Sequence, residues 1–184
     1  FFKGCNALGV AAAVLFAAPA IAGEAHRGTL ELFLARPYSR ARLLSERWLA
    51  GALALTLPIV LSSLTVPYLG ERVDEYESYG PYLLCALHQS LFLLALYALT
   101  FLGSCLSANP TRVAMVALFV CVFEFALYMV KHVTHLSLFR LCDMSVLMPL
   151  YEDGRGNAPI VGALVLTIAA AYAASVLVFR RRCP

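Results

Sequence analysis

Residues 23–47, GEAHRGTLELFLARPYSRARLLSER, carry Glu24, Glu31 and Glu46 among Arg27, Arg36, Arg40, Arg42 and Arg47. Ionisable side chains at this density between two apolar runs suit contact with a partner surface, or anchoring at a membrane border, better than catalysis. A second candidate is Glu124, set alone in the apolar run V-C-V-F-E-F-A-L-Y. A carboxylate inside a membrane span costs at least about 2.5 kcal/mol on insertion scales, so it must face protein or a water-filled cavity. Two readings stay open for it. It is a polar contact lining a translocation path or dimer seam, together with His88 and Gln89. Or it is a protonated acid bonded to a neighbouring helix through His88, Gln89 or Tyr97. His132 and His135 lie three apart with Asp143 further along, but two solvated histidines at a membrane border explain them without a metal, and none is expected. Gln89, Ser90, Thr100 and Ser104 put polar groups on one run, suited to hydrogen bonds between helices.

Several chemistries are missing. Neither lysine, Lys3 or Lys131, follows a glycine, so no GxxxxGK[ST] phosphate loop exists. No GxSxG or HExxH motif is present, and no catalytic residues are assigned. The six cysteines lack CxxC spacing; Cys85 and Cys142 are the one pair placed to meet. No Lys/Arg stripe with interleaved aromatics points to nucleic acid.

The elements that position these residues follow from composition. Of 184 residues, 61% are hydrophobic and 14% charged, against about 25% charged in soluble domains. The chain has too little polar surface to face water, and a bilayer must be its solvent. Crossing the hydrocarbon core takes about 20 apolar residues. Runs between formal charges predict five spans, at about 4–22, 48–69, 82–105, 113–130 and 159–179, in one transmembrane domain over 1–184. In lipid each span must satisfy its own backbone, so all are helices: an all-α polytopic membrane protein. Placing 23–47 inside puts Arg27, Arg36, Arg40, Arg42, Arg47, Arg112, Arg180, Arg181 and Arg182 on the cytoplasmic side, against Lys3, Arg72, Lys131, Arg140 and Arg155 outside. The C-terminus is then cytoplasmic and residue 1 external. The chain opens on Phe1, and the expectation is that a first span is missing. The outer segment 131–158 reads either as a connecting loop or as an amphipathic helix through Leu136, Phe139, Leu141, Met144, Leu147 and Met148, ended by Pro149 and the turn at Glu152–Gly154.

Within 23–47, Thr29 is a candidate N-cap with Gly28 before it and Glu31 in the first turn. Leu30, Phe33 and Leu34 share one helical face. Pro37 stops that short helix, and Ser39 caps the next, which runs through Arg40 into the second span. A short interfacial helix between two spans is a handle able to pass force into both.

Glu24 to Arg40, E-A-H-R-G-T-L-E-L-F-L-A-R-P-Y-S-R, resembles the segment after the second span in permeases of ATP-binding-cassette exporters of the second type. There an acidic residue precedes G-T-L-E, an apolar pair and P-x-S-R; Glu24, Gly28, Thr29, Leu30, Glu31, Leu32, Phe33, Leu34, Pro37, Ser39 and Arg40 match. The resemblance implies a coupling helix docking on a separate ATPase subunit that binds ATP and Mg, a second permease copy, six spans in the intact protein, and a prokaryotic inner membrane. It makes Glu24, Glu31, Arg36 and Arg40 polar contacts at that junction and Leu30, Phe33 and Leu34 its apolar side. The chain itself is then a transporter subunit without cofactor. A non-transporting membrane scaffold or assembly protein is the alternative class.

Overall fold

The computed structural model describes residues 2–30, 39–74, 78–154 and 156–181. Long helices account for nearly all of them: α1 (Phe2–Ala17), α2 (Pro19–His26), α3 (Arg40–Gly70), α4 (Tyr79–Leu106), α5 (Pro110–Met129), α6 (Met144–Asp153) and α7 (Ala158–Arg181). No strand occurs among the described residues. Among the described residues five stretches are long and apolar enough to cross a membrane: Gly4–His26, Arg40–Val73, Tyr79–Leu106, Pro110–Met129 and Ala158–Arg181.

The helices outrun the uncharged runs. α3 begins at Arg40, well before Trp48, because Ser39 caps it by accepting from Arg42 N at 3.3 Å. Arg42 and Glu46 then pair one turn apart at 2.9 Å. Charges that mark a membrane border need not mark a helix end.

α4 is the centre, wrapped by α7, α3 and α1; 61% of its apolar window is buried, against 11% for α5. Leu93, Tyr97 and Phe101 are wholly enclosed. Tyr97 donates to the Trp48 carbonyl at 3.2 Å, and the two rings meet edge-on. α3 comes this close because position 51 is glycine: a Cβ there would lie 2.8 Å from Tyr97 Cζ. Gly51→Ala is therefore expected to push α3 off α4 at an overpacking cost of about 1–3 kcal/mol, seen as a lower thermal midpoint in detergent. An unchanged midpoint would show that the ring simply moves aside.

The segment after α5 is neither a plain loop nor one surface helix. Two 3-10 turns, Thr134–Leu136 and Leu138–Cys142, precede α6. Leu147 and Leu150 bury against Cys85 on α4, while Leu136, Met144 and Met148 stay exposed. Pro149 does not end this segment: it lies inside α6, which stops at Gly154 in the left-handed region, φ 64°. Proline forfeits one amide bond there, whereas glycine takes the positive φ without strain. Cys85 and Cys142 are both free thiols; Cys85 donates to the Leu147 carbonyl at 3.7 Å, and burial pushes the Cys142 thiol pKa up.

Candidate functional site

The first span ends in a tight turn after His26. Gly28 N donates to Ala25 O at 3.2 Å and Thr29 N to Glu24 O at 3.1 Å. These are the two bonds of a Schellman cap, which needs a left-handed residue; Gly28 supplies it at φ 71°. The Gly-Thr pair thus closes α2 before anything that follows.

Glu24 is the hub of this turn. Its carboxylate accepts from the Thr29 hydroxyl. It meets Arg27 Nη2 at 3.9 Å and Arg47 Nη2, on the second turn of α3, at 3.4 Å. The Glu24 side chain is 16% exposed and that of Arg47 39%. One carboxylate therefore binds the end of the first span to the start of the second. Arg27 Nε also donates to Gly23 O at 3.2 Å. Leu30 packs against the main core. Arg40 Nη1 reaches the Arg180 carbonyl in the last turn of α7 at 3.4 Å, so a third span joins the same end of the bundle. Glu31, Phe33, Leu34, Arg36 and Pro37 lie outside the described residues.

The second candidate set does not form one cluster. His88 Nε2 pairs with the Leu141 carbonyl at 2.8 Å, Gln89 Nε2 donates to Asn6 Oδ1, and the Glu124 carboxylate accepts from Leu138 N at 2.9 Å. Ser137 Oγ adds a bond to the Glu124 carbonyl at 2.8 Å. The bonds of Glu124 thus run to residues 137–138, not to His88, Gln89 or Tyr97. The 3-10 turns fold back over α5 and present their own amide to the acid, and Phe139 inserts between Phe92 and Phe125. Glu124 and His88 both pin this returning segment.

Sequence reading passed over Arg47, which looked like one border arginine among several; only its position beyond the Ser39 cap hinted that it faces back along α3. Of the polar residues on α4, Ser90 and Thr100 bond within their own helix, while Ser104 crosses to the first span at Ala18.

Five long apolar helices among the described residues, with a charged segment of sequence between the first two, define a multi-pass α-helical membrane protein. Residues 3–142 match the model of the ABC-2 family transporter proteins, and the chain belongs to that family. The family makes it a permease-type membrane subunit and implies in general an ATP-binding-cassette ATPase as partner. No curated protein and no solved structure matches the chain.

Proposed function

We propose that this chain is the membrane subunit of an ATP-driven exporter and that residues 23–47 are where a separate ATPase subunit grips it. The carrying observation is the Glu24 hub: a load applied to the connecting segment reaches α2 and α3 together through Thr29 and Arg47, and α7 through Arg40. A handle fastened to three helices moves them jointly, as a switch between inward- and outward-open states requires.

In this reading the arginine-bearing end is cytoplasmic by the positive-inside rule, and so is the C-terminus, in the inner membrane of a prokaryote. A second permease copy completes the membrane part. ATP and Mg stay on the partner subunits, and the export direction follows the resemblance of the Glu24–Arg40 motif. Glu31, in the first turn of the expected coupling helix, is assigned a polar contact with the ATPase.

The test is the complex of this chain with a co-purifying ATPase carrying a phosphate loop. Glu31→Arg is expected to leave membrane insertion and basal ATP hydrolysis in place while transport in vesicles collapses. Intact coupling in that variant removes Glu31 from the junction, and failure of any such ATPase to co-purify removes the exporter reading.

A further inference from the structure

Trp48 is the one tryptophan of the chain and stands next to Arg47. Successive helical side chains point about 100° apart, so a single turn of α3 meets several neighbours. Arg47 reaches back to Glu24 at 3.4 Å. Trp48 faces α4 and α7: its ring centroid is 6.1 Å from that of Tyr97 and 5.3 Å from that of Tyr172. The Trp48 carbonyl accepts from the Tyr97 hydroxyl. The indole nitrogen is different. It is enclosed, and among the described residues it has no hydrogen-bond partner.

A buried indole N–H normally finds an acceptor. One left without it biases a conformational equilibrium by roughly 5- to 150-fold toward a state that supplies one. Two hydroxyls stand beside the ring. That of Tyr97 is committed to the backbone of α3, and its ring is seated in the notch at Gly51. Tyr172 is the other, and a phenol oxygen accepts as well as donates.

We propose that Trp48 is a positioning residue of the coupling step. When the Glu24–Arg47 contact gives way, the turn of α3 that carries Arg47 and Trp48 shifts, and the indole N–H bonds to the Tyr172 hydroxyl. A change at the joint of the first two spans is thereby passed to α7. The place of this movement in transport rests on the coupling reading; the movement itself does not.

With a single tryptophan, the indole Raman band that responds to N–H hydrogen bonding reports Trp48 alone. The purified full chain in lipid nanodiscs is expected to show an unbonded indole. Glu24→Arg, which repels Arg47, is expected to convert it to the bonded form, and Tyr172→Phe added to that variant to convert it back. An indole already bonded in the unmodified chain overturns the proposal. So does Glu24→Arg without effect, or a change that survives Tyr172→Phe and is then only a field effect of the new charge. Where Tyr172→Phe folds poorly, 3,5-difluorotyrosine at position 172 is nearly isosteric and a weaker acceptor; a bonded band that it leaves unmoved overturns the proposal equally. In the complex with the ATPase, ATP is expected to produce the same bonded signature, and Tyr172→Phe to lower transport per ATP hydrolysed by about 2- to 12-fold, the worth of one hydrogen bond. Normal coupling in Tyr172→Phe removes Trp48 from the coupling step. A band that answers to Glu24→Arg but not to ATP counts instead against the coupling reading, and leaves the link from Arg47 through Trp48 to α7 standing.

Discussion

Reversing the charge at Glu24, by Glu24→Arg, is expected to uncouple the transporter while the protein still inserts and folds. The ion pairs it removes are half exposed, and such pairs contribute only about 0.2–1 kcal/mol each to stability; that loss would not unfold a five-span bundle. Position is what matters. The carboxylate is shared by Thr29, Arg27 and Arg47, and an arginine in its place leaves three guanidiniums in mutual repulsion at the joint between two spans. Coupling free energies between sites run about 1–3 kcal/mol, or about 5- to 150-fold, so transport per ATP hydrolysed should fall within that range. Glu24→Gln keeps an acceptor for Thr29 and loses only the charge pairing, and belongs between the two. The paired exchange Glu24→Arg with Arg47→Glu restores the attraction across the joint and should recover part of the coupling. Measuring ATP hydrolysis and vesicle uptake for all three separates this latch from a bland anchor. If Glu24→Arg couples normally, the hub carries no load.

How much of this was legible in the sequence depends on what set each feature. The five spans were, because bilayer thickness fixes their length and hydropathy reports it directly. The Ser39 cap was also legible, since capping is local. Gly28 was half legible: it was read as the residue before a helix, while in the structure it terminates the helix before it. The partners of Glu24, Glu124 and His88 were not legible. Glu24 finds Arg47 only because two spans return to the same border. Glu124 and His88 bond to backbone atoms of residues 138 and 141, and any residue type supplies a backbone amide or carbonyl. A search among polar side chains therefore looks in the wrong place. The start of α3 at Arg40 followed from the Ser39 cap; the run counted between charges marks only where the apolar stretch begins, at Trp48, and Arg42 and Glu46 pair within the helix ahead of it.

Ser104→Ala is expected to loosen the first span at its break. Pro19 lacks an amide hydrogen, and its ring crowds the carbonyl one turn before it, so the helix is interrupted at Ala18. In lipid no water can satisfy the groups this frees. Ser104 does so from α4. Its hydroxyl donates to Ala18 O at 2.8 Å and accepts from Ile21 N at 3.1 Å and Ala22 N at 2.9 Å, which uses its one donor and both lone pairs. Ser104 and Ala22 are fully enclosed and Ile21 nearly so. Removing the oxygen strands buried backbone groups, at about 1–3 kcal/mol for an unmet partner, while hydrogen bonds between membrane helices average nearer 0.6 kcal/mol. A loss of about 1–2 kcal/mol corresponds to a roughly 5- to 30-fold change in a local opening equilibrium. Amide exchange at Ile21 and Ala22 should quicken by that factor, with exchange in α7 unchanged. Two residues beyond Ala22 stands Glu24, so a looser α2 also slackens the joint with Arg47, and coupling should fall in Ser104→Ala without any change to a charged residue. Unaltered exchange at Ile21 and Ala22 would mean that the broken helix closes its own bonds and that Ser104 is a bystander. Faster exchange with coupling intact would separate the break from the latch, and would confine force transfer to the Glu24–Arg47 contact and α3.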